Sequence, residues 1–252
     1  MWIDAHCHVE QIPNLENVLN TAQKQGVRKI VAVSVDQTSM QQILRLYQQF
    51  PQTLLPALGI HPAHILEMNP EELQSNLNFL KQSIHQAKML GEVGLDYKYA
   101  RNQEQKQLQH QILKQQLQLA QNYALPLNLH SRWALRQTME IAIHYKQYTG
   151  YNALLHWFCQ SKKLIKICNK KNIYVSVGPI ILHSPQTIEV VQCIQPHLLL
   201  LETDSPVPFH NSPATPDLIP KIGEKLAQIW NTTTEKVEQQ IEENFHNFLH
   251  HR

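Results

Sequence analysis

"MLGEVGLDY", residues 89–97, runs an apolar pair into Gly91-Glu92-Val93-Gly94. It sets a carboxylate where a buried strand is expected to end. Two of the chain's seven glycines fall within four residues here. The backbone at this point is therefore expected to turn closely beside something that the carboxylate serves. An acid buried without a partner is costly, so the chain around it must be read for what offsets that cost.

Short β-like runs alternate with longer amphipathic segments on either side of this stretch. The strand candidates are 2–6, 28–34, 53–59, 89–93, 126–130, 152–157, 172–177 and 198–202. Helical periodicity is read over 15–25, 37–49, 70–87, 103–123 and 134–147, with a further helix over 234–249. Asn69-Pro70-Glu71-Glu72 is a helix start, with a capping residue, proline at the first helical position and acids in the first turn. Within 109–123, Ile112, Leu113, Leu117, Leu119 and Ala120 share one broad face. The glutamines among Gln115–Gln121 are expected on the solvated side. The strands read as unbroken apolar runs ("KIVAVSV", "LLLLETD"), the pattern of a parallel sheet covered on both faces. Eight alternations in 252 residues are the size of a (β/α)8 barrel. An open doubly wound sheet shares the same periodicity. The fold expected is α/β, a single TIM-type barrel over residues 1–252 with an extra C-terminal helix.

Composition excludes several classes. At 42% hydrophobic with mixed charges the chain is globular. No apolar run approaches the ~20 residues that span a bilayer, so no membrane role is expected. Met1-Trp2-Ile3-Asp4 shows no basic region followed by an apolar stretch, and no signal peptide is expected. Cys7, Cys159, Cys168 and Cys193 form no CxxC pair, which suits a reducing cytoplasm. A net charge of +2 does not by itself announce a nucleic-acid binder, so any such role must come from a local patch.

The polar residues fall at one set of strand ends: Asp4-Ala5-His6-Cys7-His8, His61, Glu92, His130-Ser131-Arg132, His156 and Glu202-Thr203-Asp204. In a barrel this is the C-terminal face, where such folds place their chemistry. Residues i and i+2 of a strand project to one side, so His6 and His8 can offer two imidazoles to one cation. Asp4 is placed on the same face, either as an acceptor orienting an imidazole or as an ordinary buried hydrogen-bonding group. Between two cations Glu92 would be stabilised, and its two oxygens can bridge them. His6, His8 and Asp204 then complete one site, and His130 and His156 the other. Two metals ~3.5–4 Å apart suit in-line displacement at a phosphodiester.

On these residues the chain resembles the TatD family of metal-dependent deoxyribonucleases, within the amidohydrolase-type barrels. "IDAHCH", "ALGIHP", "GEVGLDY", "LPLNLHSR", "LLHWF", "YVSVG" and "LETDSP" stand in that family's order, and "ENFHNFL" is similar to its terminal helix. The resemblance implies a divalent-metal-dependent phosphodiesterase acting on DNA, a 3′–5′ exonuclease in repair, turnover or defence. His6, His8, Glu92, His130, His156 and Asp204 would be its metal ligands. Asp204 would also be the base, and His61 would lie near the scissile phosphate. The two ions are Mg²⁺, Mn²⁺ or Zn²⁺: four imidazoles favour the softer pair, while phosphodiester chemistry often runs on Mg²⁺. Arg132, two residues beyond a ligand, is the leading phosphate contact; Lys98, Arg101, Lys162 and Lys163 are further candidates, the last two doubling as the start of a solvated helix.

Single-stranded or frayed DNA ends are the expected substrate, and a repair or defence complex the expected setting. A monomer is favoured. The alternative is an amide or ester hydrolase such as a D-aminoacyl-tRNA deacylase, or a component of a larger nucleic-acid-processing assembly. Two departures from the family pattern bear on substrate choice. Phe158-Cys159-Gln160-Ser161 lacks a glycine usual there, and no Arg or Lys lies between Asp204 and Lys221.

Overall fold

The computed structural model describes residues 1–159, 161–209 and 212–250. Eight parallel strands pair in chain order: β1 (Trp2–Cys7), β2 (Val27–Val33), β3 (Leu54–Leu58), β4 (Met89–Asp96), β5 (Leu127–Arg132), β6 (Ala153–Leu155), β7 (Tyr174–Val177) and β8 (Leu199–Leu201). The ends of β8 and β1 meet in a parallel bridge between Cys7 and Ser205. Asp204 N–H donates to the His6 carbonyl at 2.9 Å, and His8 N–H to the Ser205 carbonyl at 2.8 Å. The sheet is thereby closed into a TIM-type barrel, and the open doubly wound sheet is set aside.

The described residues also form ten α-helices: α1 (Leu15–Lys24), α2 (Gln37–Gln49), α3 (Pro62–Ile65), α4 (Pro70–Ser83), α5 (Gln103–Asn122), α6 (Leu135–Thr149), α7 (Lys162–Lys171), α8 (Pro185–Val191), α9 (Ile219–Trp230) and α10 (Thr234–His250). A hairpin of β9 (Pro208–Phe209) and β10 (Ser212–Pro213) follows β8. Asn69 caps α4 with the expected reciprocal bonds to Glu72. None of the described helices is long and apolar enough to cross a membrane.

Side chains from seven of the eight strands, among them Ile3, Ala5, Val31, Met89, Leu154 and Leu200, meet in one buried cluster. Only the barrel interior lets them meet. Phe245 and Phe248 of α10 belong to the same cluster, so this last helix closes the end opposite the catalytic face of such barrels. β5 contributes a polar side chain at this level. Asn128 is fully buried and donates to the Ala5 carbonyl at 2.9 Å.

Three expectations change in detail. β4 runs to Asp96 rather than stopping at 93, because Val93 to Asp96 stay paired with Leu129 to Arg132. β6 is shorter than 152–157, since Trp157 takes a positive φ of 50° and turns the chain out of the sheet. The glutamines of α5 are not all solvated: Gln109 and Gln116 are fully buried, while Leu117 and Leu119 are only partly so. Gln116 bonds both the N–H and the carbonyl of Ile60, at 2.8 and 3.2 Å. Gln109 takes the Asp96 N–H and donates to the Pro62 carbonyl, at 3.0 and 2.9 Å. These amides occupy core positions because the ends of β3 and β4 carry backbone groups that no neighbouring strand reaches.

Gln116→Met keeps the side chain's length and leaves two groups of Ile60 buried without partners. Each stranded group costs about 1–3 kcal/mol, so the urea midpoint of the variant should fall clearly. An unchanged midpoint would show that the amide carries no structural load.

Candidate metal centre

β4 delivers Glu92 into the C-terminal end of the barrel, where its side chain is 4% exposed. The glycines beside it serve strand packing. A Cβ on Gly94, whose φ is +154°, would stand 2.0 Å from the His130 carbonyl oxygen; one on Gly91 would stand 2.7 Å from the Asn128 Cβ. The expectation that they bring the backbone close to the bound group is thus corrected: they let β4 lie against β5. That contact sets Glu92 beside His130.

The two oxygens of Glu92 face different donors. Oε2 is 3.6 Å from His6 Nε2 and 3.5 Å from His8 Nε2. Asp204 Oδ1 closes this group at 3.6 Å from His6 and 3.4 Å from His8. A tetrahedral ion with ~2.05 Å bonds holds its ligands ~3.3–3.4 Å apart, close to these separations. Oε1 is 2.7 Å from His130 Nδ1 and 2.9 Å from His156 Nε2, with those nitrogens 3.4 Å apart. Adjacent ligands of an octahedral ion with ~2.1 Å bonds are ~3 Å apart, so this set also has the dimensions of a cation site. His6 Nε2 is buried without a hydrogen-bond partner and aimed into the first group. Both donor sets therefore fit divalent cations, and all six expected ligands come together.

The ring orientations have identifiable causes. His6 Nδ1 meets Asn128 Oδ1 at 2.9 Å, which turns Nε2 inward. His130 Nε2 meets Asp96 Oδ2 at 3.1 Å, which turns Nδ1 toward Glu92. Glu202 accepts from Trp157 N–H and Ser176 Oγ, both at 2.6 Å, and stands 3.8 Å from His156 Nδ1. Such partners fix the tautomer and aim of a ligating ring. Asn128, Asp96 and Glu202 were not assigned roles from sequence. The available signal was period two: Asn128 precedes His130 by two, and Asp96 follows Glu92 by four.

Asp4 does not orient an imidazole. Its carboxylate accepts from the Thr203 N–H and hydroxyl and from the His6 N–H, tying β8 to β1. Between Asp4 and Cys7 three steps of β1 match two steps of β2. That bulge puts His6 and Asp4 to different uses. Burial pushes the Asp4 carboxyl up to about 8, against the bonds from Thr203.

His61 caps α3, accepting Ala63 N–H on Nδ1 at 3.1 Å, and its Nε2 lies 3.6 Å from Glu92 Oε1. Burial, helped by His130, holds it well below the ordinary imidazole value. It is thus neutral, with its proton on Nε2. Arg132 is exposed at the mouth, its guanidinium 6.0 Å from the Tyr99 ring, and lines the cavities on both sides. Lys98, Arg101, Lys162 and Lys163 line neither cavity. Lys162 opens α7 and pairs with Glu189, the solvated-helix reading. Cys159 lines one of these cavities. Of the two departures from the family pattern, Gln160 and the His210-Asn211 part of the loop after Asp204 lie outside the described residues.

Burial alone would raise Glu92, but the charged imidazoles around it, with the bond from His130, outweigh this and hold it well below the carboxylate range. Burial would likewise raise Asp204, and the bond to His8 reverses this. The imidazoles respond in the other direction. His8 rises to about 9 as Asp204 and Glu92 overcome its burial. Against their burial, His156 is held well above its usual value through Glu92, and His130 is raised by the bond to Asp96 and then by Glu92. Without metal, protons on the rings supply the positive charge that the carboxylates demand.

A family model described as TatD related DNase matches residues 3–250. Deoxyribonuclease TATDN3 of Homo sapiens is 30% identical over 248 residues, spanning 93% of this chain and 89% of that protein. An uncharacterized metal-dependent hydrolase of Bacillus subtilis (strain 168), YabD, is 28% identical over 255 residues, 97% of each chain. The crystal structure of YjjV, a TatD homolog from Escherichia coli, matches with a TM-score of 0.86 at 24% identity, covering 98% of this chain and 97% of that one. This last likeness is one of fold.

Cation binding must displace the ring protons. Calorimetric titration of the stripped protein with Zn²⁺ or Mn²⁺ at pH 7, in buffers of different ionisation enthalpy, should show proton release, and affinity should rise as pH approaches 9. Raised folded-state values also mean that the metal-free protein loses stability as pH climbs from ~6.5 through His8's value of about 9. Binding without proton release would contradict the charge balance.

Proposed function

This chain belongs to the TatD related DNase family, and on that premise we propose that it hydrolyses DNA phosphodiester bonds with two divalent ions. His6, His8, Glu92 and Asp204 would hold one, and Glu92, His130 and His156 the other. The observation that carries this is Glu92: its two oxygens serve two separate donor sets. When bound, paired ions polarise a phosphodiester and make water acidic at neutral pH.

The chain's own residues supply the rest. Asp204, lowered below its usual value, is ionised at neutral pH and can take the proton of the attacking water. Its backbone is fixed by the bond to the His6 carbonyl, so its carboxylate is set before substrate arrives. His61 is preset as a neutral Nε2–H donor by the Ala63 bond and can meet a non-bridging phosphate oxygen without carrying charge. Ile60 and Pro62, on either side of it, are held by Gln116 and Gln109, so that donor is rigid. Arg132 at the mouth attracts the phosphate chain and orients it.

The finer reading is 3′–5′ exonuclease action on single-stranded or frayed ends, by a cytoplasmic monomer working in repair, turnover or defence. Zn²⁺ or Mn²⁺ matches four imidazoles, and Mg²⁺ remains a test case. The lack of Arg or Lys between Asp204 and Lys221 favours a second reading, a hydrolase of amide or ester bonds such as those of D-aminoacyl-tRNA. A substrate panel decides between them.

Chelation should abolish cleavage of end-labelled DNA, and Mg²⁺, Mn²⁺ or Zn²⁺ should restore it; full activity in stripped protein overturns the metal role. Glu92→Gln should cost more turnover than loss of any one ring, because it weakens both sites. His61→Ala and Arg132→Ala should keep metal content and lose ~10²–10³ in rate, as for removed preorganised donors. Release of amino acid from charged tRNA with no phosphodiester cut would shift the function to the second reading.

A further inference from the structure

Arg132 stands between two cavities that share His130, His156 and Asp204 as a common floor. On one side lie Tyr99, His61 and His64. The other is a cavity of about 590 Å³ lined by Trp133, Arg136, Trp157 and Ser131, within the ~300–1,000 Å³ typical of small-molecule sites. Beyond the shared floor, Trp133, Arg136, Trp157 and Ser131 have no part in holding metal in this reading.

Trp133 is the anomaly. It is 74% exposed, so its ring adds almost nothing to the core. It also sits at φ +58°, a left-handed conformation that a bulky side chain rarely adopts. Sequence position explains neither feature: the chain needs only to pass from the end of β5 into α6, and a glycine would do so without strain. Strained, exposed residues of this kind collect at ligand clamps.

Its surroundings narrow the ligand. Arg132 and Arg136 both line this cavity, and among the described residues Arg136 makes one exposed ion pair, with Glu140 at 3.8 Å. The buried Ser131 hydroxyl, on that wall, has no hydrogen-bond partner. Trp157 gives a fixed wall, since a Cβ on Gly178 would meet its ring at 2.7 Å and its N–H is tied to Glu202. Across Arg132, the Tyr99 ring is already covered by Lys98 and Arg132, at 5.6 and 6.0 Å. Among the described residues the Trp133 ring has no such cation or ring partner. An open indole face in a cavity that two arginines also line, one step from a phosphodiester centre, matches a planar base attached to a phosphate.

We propose that Trp133 is the stacking platform for an unpaired nucleobase next to the scissile phosphate, with Arg132 and Arg136 taking the flanking phosphates. The inference rests on the phosphodiesterase reading and adds a substrate class to it. A base inside a duplex has both faces covered by its neighbours, so a base next to the scissile phosphate reaches the indole only when it is unstacked from the duplex. Stacking of this kind tolerates any base, so the enzyme should discriminate by strandedness and not by sequence.

The test uses single-stranded oligo-dT with one abasic tetrahydrofuran residue placed in turn at each of the three terminal positions. Trp133→Ala should raise KM for intact oligo-dT by about 5- to 100-fold, the range of one lost base stack, with kcat little changed. Trp133→Phe should recover most of that. In the wild type one abasic position should give a similar rise in KM, and in Trp133→Ala the same substitution should add nothing. Tyr148→Ala, removing an equally exposed ring at the far end of α6, is the control expected to behave as wild type.

Binding is measured separately in EDTA, as anisotropy of labelled oligo-dT. Weaker binding by Trp133→Ala, but not by Tyr148→Ala, is the expected result. If the wild type cleaves no phosphodiester, the functional reading falls and the binding arm alone decides the platform. If the wild type cleaves DNA while Trp133→Ala and the abasic substrates keep the normal KM, the platform is wrong and the functional reading stands.

Discussion

A carboxylate buried at the end of β4 governs this molecule. Glu92 has almost no access to water, and an ion so placed must be neutralised locally. Four imidazoles from β1, the turn after it, β5 and the end of β6 approach its two oxygens, with His61 just beyond. Each strand delivers one or two groups, and no element alone could satisfy the charge. The closed barrel is the architecture that lets four separate chain segments point at one pair of atoms. Protons on the rings can hold this balance, and so can divalent ions, which is why the same arrangement is both a structural solution and a reactive one.

That convergence depends on close backbone contacts beneath it. Glycine at 91 and 94 draws β4 onto β5, where any side chain would strike Asn128 or the His130 carbonyl. Asn128 then does two jobs, filling the β5 place in the interior layer and bonding His6. On the other flank two buried amides of α5 hold Ile60, Pro62 and Asp96, and so fix His61 and the partner of His130. A helix on the outside of the barrel thereby sets donor positions inside its mouth. The opposite end is built for stability, with Phe245 and Phe248 packed into the barrel and the N-terminus paired to Glu238 and Glu242.

Much of this was legible in the sequence because strand and helix periods are short and the ligands stand at strand ends. All eight strands and the convergence of the six candidate ligands follow from apolar runs that break at His, Glu and Asp. What escaped depended on contacts between distant segments. Gln116 belongs to a glutamine-rich stretch that looks solvated, and only the bare backbone of Ile60, 56 residues earlier, calls it inward. Asp4 reads as sharing a face with His6 by strict alternation, and a single extra residue in β1 undoes that alternation. Asp96 was hidden because β4 continues past the glycine that seemed to end it. Periodicity describes a strand's own geometry and carries no information about its neighbour's register.

The guanidinium groups stand outside the carboxylates, which reconciles a net charge of only +2 with the polyanionic substrate proposed. Carboxylates and imidazoles interleave at the floor of the mouth, and guanidinium groups stand outside at Arg132 and Arg136. A strand of phosphates approaching from solvent meets the positive layer first. It meets the negative centre only where cations cover it. Field strength in a cleft depends on such local layering far more than on the summed charge of the chain. In the proposed function, the carboxylates that would repel DNA from the unloaded centre are the same groups that would recruit the ions needed to accept it, which would couple metal content and substrate affinity through one set of residues.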